Sequence, residues 1–348
     1  MMASIPESYG QDMAIFRSGS QWGALVALFI LLILCPLFLS DRAITILTMI
    51  GISIISVHGL SILTGYCGQI SMGHVGFMAV GAYVSAILTA KLGWPFFAAL
   101  PAAALAAGAV GLVFGLPSLK IRGFYLIMAT LAAHFIIIWL ILQFRTLTGG
   151  PDGMPVPKPQ IGAFTFNSKA RYYYLVMAVC ALATYGAVNI TRTRSGRAFI
   201  AIRDNDLAAE VMGINLWVYK LQAFFIGCLY AGVAGALLVH YYGFASVDQF
   251  PFMDSVWYLG MLIVGGMGSI AGAVLGAVAL KLLDEAVTAM GPVLAAAVAA
   301  QAAASLALMA RGIVIILFLI FDPRGLAHLL GFVKAYVRLW PFSREEAE

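Results

Sequence analysis

RTRSGRAFIAIRDNDLAAEVMGINLWVYK, residues 192–220, is a charged stretch set between two oily blocks. It carries Arg192, Arg194, Arg197, Arg203 and Lys220 beside Asp204, Asp206 and Glu210, in a chain of which only 10% is charged. Such a segment has to lie in water. The blocks on either side are apolar enough to lie in lipid, so this stretch decides how the rest of the chain is arranged.

Outward from it, composition sets the class. The 348 residues are 62% hydrophobic and the mean hydropathy is +0.97. A soluble domain is roughly half apolar and a quarter charged. Apolar runs of about 20 residues recur, each enough to cross about 30 Å of hydrocarbon as a helix. The runs are continuous rather than alternating, which argues against membrane strands. The expected fold is all-α, a polytopic transmembrane helical bundle of about nine to ten spans. Candidate spans are 22–39, 43–63, 70–90, 94–116, 123–144, 172–190 and 221–242, then a Gly-rich stretch 255–283, an Ala-rich stretch 293–310 and 313–321. The expected division is a cytoplasmic segment 1–21, a membrane domain 22–321 and a charged cytoplasmic tail 322–348. The polar start has no clear small-residue cleavage site after its first apolar run, so that run reads as an uncleaved span.

The net charge of +5 reads as a positive-inside bias rather than as affinity for nucleic acid. With 192–220 in the cytoplasm, stepping back span by span puts Arg17, Lys120 and Arg122 inside and 146–171 outside. The tail, with Arg324, Lys334, Arg338 and Arg344, belongs inside as well, so 255–321 must hold three crossings or one piece lying along the interface. Arg311 must face protein or an interface, because a charge at mid-bilayer costs about 2.5–3.5 kcal/mol. Cys35, Cys67, Cys180 and Cys228 lie in or beside apolar runs without metal-ligand spacing, and neither a disulfide framework nor a metal site is expected.

Small residues recur at helical spacing: Gly227, Ala231 and Gly235; Gly268, Gly272 and Gly276; Gly111 and Gly115. These faces let helices approach closely in lipid and point to a tight bundle rather than to an activity.

Three stretches are candidates for function. GYCGQISMGHVGFMAVG, residues 65–81, mixes Gly65, Gly68, Gly73, Gly76 and Gly81 with Gln69, Ser71 and His74. It is too polar for a lipid-facing helix. It reads either as a broken helix lining a pathway or as a tight turn leading into a glycine-packed helix. Residues 146–171 open TLTGGPDGMPVPKPQIG and are expected to be an extended connection without helix, either a docking surface or a stiff loop. Within 192–220, Asp206 is a candidate N-cap and Gly213 an αL stop for a short helix over 207–212, with Leu207, Val211 and Ile214 on one side. Helices that short need something to pack on: a groove on a partner, the membrane surface, or the chain's own bundle.

Together these stretches resemble the LivM-type permease family of ABC importers for branched-chain amino acids, over roughly 53–326. The resemblance rests on Gly65, Tyr66, Gly68, Gln69, Ser71, Gly73 and His74; on Thr148, Gly149, Gly150 and Gly153; on Gly196-Arg197-Ala198, Ala208-Ala209-Glu210 and Gly213-Ile214-Asn215; and on Pro323-Arg324-Gly325-Leu326. Asp322, before Pro323, and the Ala-rich 293–310 depart from the family pattern. The resemblance implies a transport subunit with no catalytic residues. Its coupling loop to the ATPase would use Arg197, Asp206, Leu207, Ala208, Ala209, Glu210 and Gly213. Its translocation pathway would pass Gly65, Gly68, Gln69, Ser71, Gly73 and His74, and its external loop would present Thr148, Gly149, Gly150, Asp152 and Gly153. It further implies a homologous LivH-type second permease, two LivG/LivF-type ATPase subunits, a periplasmic substrate-binding protein and a place in the bacterial inner membrane. No G-x-x-x-x-G-K-[ST] occurs in the sequence. ATP and Mg are therefore expected on partner subunits, with no fused ATPase domain by Glu348. The cargo reads as branched-chain or other neutral amino acids, with urea, short amides or aromatic acids as alternatives.

Two other classes compete. An ion-coupled secondary transporter usually carries acids within its spans, whereas Asp41, Asp152, Asp204, Asp206, Glu210, Asp248, Asp254, Asp284 and Glu285 are expected at span ends or in loops. A membrane enzyme needs a catalytic constellation, and the histidines are scattered; His58 and His134 read as structural, and His74 keeps a possible pathway role.

Overall fold

In the computed structural model, residues 19–116, 123–161 and 164–297 are described, with 309, 312, 313, 316, 320, 325–329 and 332. Arg17, Lys120, Arg122, Arg311, Asp322, Pro323, Arg324 and the charges of the tail lie outside them, as do most of 293–310 and 313–321. The chain is a helical bundle. Its helices are α1 (Gly19–Phe38), α2 (Asp41–Leu60), α3 (His74–Ala90), α4 (Phe96–Gly115), α5 (Phe124–Gln143), α6 (Arg145–Thr148), α7 (Lys169–Arg192), α8 (Arg194–Asp204), α9 (Asp206–Val211), α10 (Leu216–Tyr242), α11 (Phe252–Gly265) and α12 (Ile270–Ala297). A π-helical turn, Ser61–Tyr66, extends α2.

Local chemistry sets several of these starts. Ser168 Oγ accepts from the Arg171 amide at 3.2 Å and begins α7, and Asn215 Oδ1 accepts from Trp217 and Val218 at 3.1 and 3.3 Å and begins α10. Among the described residues five helices are long and apolar enough to cross a membrane: Asp41–Tyr66, Phe96–Gly115, Phe124–Gln143, Lys169–Arg192 and Leu216–Tyr242. The count is six if α11 and α12, bent by 120° at their junction, are one span. The expected spans 293–310 and 313–321 lie mostly outside the described residues, so this count does not include them. Candidate span 70–90 loses its first residues to a break, and 255–283 is cut at 266–269.

The bundle is built around α2 and α10. In their most apolar stretches 83% and 72% of residues are buried, against 22% in α7. Glycines allow this density. A methyl group on Gly59 of α2 would lie 2.5 Å from the Gly227 carbonyl oxygen of α10, and one on Gly235 would collide with the Met78 carbonyl of α3. Gly111 and Gly115 receive Cys228 and Phe224, and Gly272 and Gly276 receive α11. Gly268 does not belong to that face. It lies in the bend between α11 and α12, at φ +81°.

The end of the bundle away from α8 and α9 carries two short antiparallel pairs, β1 (Met154–Pro155) with β4 (Phe244–Ala245) and β2 (Gln160–Ile161) with β3 (Phe164–Thr165). The connection expected to hold no helix contains α6 and a 3₁₀ turn at Gly150–Asp152, and α7 already begins at Lys169. Pro151 accounts for part of this, because proline at the start of a helical turn loses no hydrogen bond. Asp284 and Glu285 lie inside α12 rather than at a helix end. Glu285 nevertheless accepts from Arg42 Nε at 2.8 Å. Arg42 opens α2, so the acid is level with the end of that span.

Pro36 sits inside α1 and cannot donate to the Leu32 carbonyl four residues back. Tyr173 of α7, a fully buried side chain, donates its hydroxyl to that oxygen at 2.9 Å, and Tyr174 donates to Ile33 at 2.8 Å. These bonds fasten α1 to the bundle. Tyr173→Phe is expected to lower the stability of the detergent-solubilised protein by about 1 kcal/mol, as for other side-chain bonds in membrane proteins; thermal unfolding of both forms measures it, and equal midpoints would refute the role.

Candidate functional site

The charged segment folds as two helices. The first, α8, buries Gly196, Ala198, Phe199 and Ile202 and leaves Arg194, Arg197 and Arg203 exposed. This amphipathic helix was not expected, although the spacing of 198, 199 and 202 carries it. Arg197 donates to the Arg192 carbonyl at 3.2 Å, closing the turn from α7. The second, α9, is capped one residue earlier than expected: Asn205 Oδ1 accepts from Ala208 N at 3.0 Å. An Asp and an Asn in adjacent positions cap equally well by sequence, and tertiary contact decides between them. Asp206 is recruited by Lys220 of α10, whose Nζ lies 2.7 Å from Asp206 Oδ2, with side chains 7% and 17% exposed. Gly213 ends the segment at φ +82°, as expected.

The orientation of α9 follows from this ion pair. Ala209 faces inward, while Leu207, Val211 and Met212 are 65%, 88% and 81% exposed. Ile214, expected on the same side as Leu207 and Val211, packs against the core instead. Ala208 and Glu210 are exposed. Trp217 and Val218 add further exposed apolar surface, and a cavity of about 480 Å³ opens between Glu210, Gly213, Trp217 and Lys220.

The second candidate, 65–81, is a broken helix. Past Tyr66 the chain leaves helical geometry until His74. His74 Nε2 bonds the Ser56 carbonyl at 3.0 Å. Ser56 lies ten residues before Tyr66, about 15 Å along the helix, so residues 67–73 climb back into the bundle beside α2. The Cys67, Gly68 and Gln69 amides bond the Ile62, Thr64 and Leu63 carbonyls of the preceding turn, and other helices supply further partners. Thr130 Oγ1 of α5 accepts from Met72 N at 3.0 Å, and Ser255 Oγ of α11 accepts from Val75 N at 3.1 Å. Thr64 Oγ1 donates to the Gln69 carbonyl at 3.0 Å. A side chain on Gly73 would collide with the Thr130 carbonyl. Gly68 takes φ +73°, and the Gly65 carbonyl accepts from Arg203 Nη1 at 3.1 Å.

Gln69, Ser71 and His74 are buried, and Gln69 Oε1, Ser71 Oγ and His74 Nδ1 have no hydrogen-bond partner among the described residues. A carbonyl can only accept, so His74 Nε2 carries a proton. Buried polar atoms without partners are uncommon, and a row of them on a broken helix is suited to meet water or a polar solute. Both alternatives for this stretch are thus visible: its glycines pack closely, and its polar side chains keep unused bonding capacity.

The loop candidates are fold devices with one exposed acid. Thr148 Oγ1 donates to the Ile141 carbonyl at 2.6 Å and accepts from Gly150 N at 3.1 Å. Gly149, Gly150 and Gly153 all have positive φ; Gly149 lies against Gly153, Gly150 against Arg145, and Gly153 against Phe244 and Ala245. His240 secures the same region. The Pro157 carbonyl accepts from its Nδ1 at 2.8 Å, so its Nε2 accepts from Ser85 Oγ at 2.9 Å. Asp152 is exposed. His58 Nε2 meets Thr184 Oγ1 at 2.9 Å and joins α2 to α7, while His134 stacks edge-on with Phe252.

The structure joins two of the three candidate groups. Lys220, which pairs with Asp206, also offers its carbonyl to Gln69 Nε2 at 3.4 Å, and the loop 148–153 is at the other end. Among the described residues no three His, Cys, Asp or Glu side chains come together as metal ligands. Lys220 and Asp206 test the anchoring of α9. Lys220→Met takes the ion-pair partner from a largely buried carboxylate and is expected to cost roughly 3–5 kcal/mol, whereas Lys220→Met with Asp206→Leu recovers most of it. Chemical or thermal denaturation of the three forms reads this out, and additive losses would refute the pairing.

Against known proteins, residues 42–319 match the family described as branched-chain amino acid transport system / permease component. The high-affinity branched-chain amino acid transport system permease protein LivM of Escherichia coli is 31% identical over 285 residues, 75% of this chain and 67% of that protein. The corresponding LivH of Escherichia coli is 27% identical over 222 residues, 59% and 71% of the two chains. The xylose transport system permease protein XylH of the same organism is 33% identical over 158 residues, 44% and 34%. No solved structure matches.

Proposed function

Since this chain belongs to the family of branched-chain amino acid transport permease components, we propose that it is the permease subunit of an ATP-driven ABC importer that moves branched-chain or other neutral amino acids across the bacterial inner membrane by alternating access. The observation that carries the reading is the exposed apolar surface of α9, Leu207, Val211 and Met212. These side chains project from a segment whose Arg and Asp neighbours belong in water. A contiguous apolar patch there marks a protein interface, and the ion pair of Asp206 with Lys220 holds the patch rigid enough to receive force.

In this reading 192–220 lies in the cytoplasm and α9 seats in a groove of a LivG/LivF-type ATPase subunit, which binds ATP and Mg. A LivH-type permease completes the pathway, and a periplasmic binding protein delivers the solute to the 148–153 end, where Asp152 is exposed. Gln69, Ser71 and His74 supply polar atoms along the path. The break at 67–73 supports this role, because two helix segments joined by a non-helical link can tilt separately.

Reconstitution of the chain with its neighbouring subunits in liposomes tests the assignment. Leucine accumulation is expected to require ATP and the ATPase subunits; accumulation driven by a proton or sodium gradient without them would refute it. Competition by isoleucine and valine, against urea, short amides, aromatic acids and xylose, identifies the cargo class. Val211→Asp with Leu207→Asp is expected to leave stability within about 0.5 kcal/mol, as at other exposed sites, yet to abolish co-purification of the ATPase. Gly213→Pro should also uncouple, since proline cannot adopt positive φ. Unchanged ATPase binding and uptake in these variants would remove α9 from the interface.

A further inference from the structure

Two helix breaks, 67–73 and 266–269, meet at the end of the bundle that carries α8 and α9. A methyl group on Gly65 would lie 2.8 Å from the Gly268 amide nitrogen. One side chain touches both breaks. Arg203, on the last turn of α8, donates from Nη1 to the Gly65 carbonyl at 3.1 Å. Its Nη1 lies 2.8 Å from where a methyl group on Gly268 would be, and its Cγ lies 3.1 Å from one on Gly68. The arginine side chain thus passes between Gly68 and Gly268, where a side chain at either position would crowd it, to reach the Gly65 carbonyl. Gly325 closes on the same place, with a methyl group there 2.5 Å from the Gly266 amide nitrogen.

The chemistry favours a cation here. The Gly65 carbonyl lies in the last turn before the break, where carbonyls lack helical partners and the negative end of the helix dipole attracts positive charge. Arg203 also pairs with Asp204 through Nε at 3.0 Å, which steadies the guanidinium from its own chain. Asn205, the cap of α9, is two residues on. A displacement of α9 therefore moves Arg203 directly.

We propose that Arg203 is the positioning residue that links α9 to both broken helices, so that movement imposed on α9 changes the two breaks together. It touches neither solute nor nucleotide, and it acts through the Gly65 carbonyl and the 266–269 bend. This assignment deepens the importer reading and rests on it for the origin of the movement, but the clamp itself is a property of the isolated chain.

The experiment has two arms. In the first, hydrogen–deuterium exchange is followed on the full chain in nanodiscs, with no partner present. Arg203→Gln is expected to speed exchange at both 67–73 and 266–270 while α4 and α5 keep their rates; unchanged rates at both breaks, or a uniform rise everywhere, would overturn the clamp. In the second, leucine uptake and ATP hydrolysis are measured on the assembled transporter. Arg203→Gln is expected to retain hydrolysis while leucine moved per ATP falls about tenfold, a typical coupling free energy. Gly268→Ala, which crowds Nη1, should lower the same ratio in the wild type but add nothing to Arg203→Gln. An unchanged ratio, or fully additive losses, would overturn the link. A wild-type complex that hydrolyses ATP without ATP-driven uptake would instead defeat the importer reading, and the exchange arm would still decide the clamp.

Discussion

Backbone amides at membrane depth have no water to turn to, and residues 67–73 interrupt a helix there. Each unpaired peptide group in hydrocarbon costs several kcal/mol, so the interruption can exist only where other helices supply partners. Thr130 on α5 and Ser255 on α11 accept from Met72 and Val75, and Ser56 accepts from His74. The helices that bring these groups must approach closely. That requirement explains the glycine at 73, pressed on the Thr130 carbonyl, and much of the dense packing around α2 and α10. The break is thus stabilised both by the carbonyls of its own preceding turn, which accept from Cys67, Gly68 and Gln69, and by neighbouring helices.

The charged segment obeys a related rule. Exposed ion pairs such as Lys169 with Asp41, 3.7 Å apart, contribute little. Lys220 and Asp206 are different, because both are largely withdrawn from water and neither is tolerable alone. Their pairing turns α9 so that Ala209 faces inward and the larger apolar side chains face out. A six-residue helix has too few internal bonds to hold any orientation by itself. Under the proposed coupling role, such an anchored helix would transmit force where a frayed one would absorb it.

Much of the architecture was legible from residue order. The spans around α4, α5, α7 and α10 agree with the apolar runs to within a few residues, because a lipid-crossing helix is specified by length and hydropathy. The glycines and polar residues of 65–81 marked a stretch unfit for an uninterrupted lipid-facing helix, without deciding between a broken helix and a tight turn. Helix α8 was also within reach, since Ala198, Phe199 and Ile202 repeat at helical spacing. Short helices in the 145–168 connection were hidden by a composition rich in Pro and Gly, which signals turns without saying how tightly they wind. The bend at 266–269 was hidden differently. Gly265, Gly268, Gly272 and Gly276 look alike in a sequence, but only Gly268 takes positive φ, and which glycine bends depends on what packs beside it.

By itself the sequence determined that the chain is a polytopic helical membrane protein, where its main spans run, and that a charged segment must stand in water; for 65–81 it left a broken helix and a tight turn before a glycine-packed helix both open. Those properties follow from the cost of placing charge and unpaired backbone in hydrocarbon, which each stretch carries locally. Only the tertiary structure decided that Asn205 rather than Asp206 caps α9, that Lys220 holds Asp206, and that Arg203 reaches the carbonyl of Gly65. These are meetings between residues up to 138 positions apart, and they depend on helix rotation and close approach, which glycine contacts between distant helices set jointly.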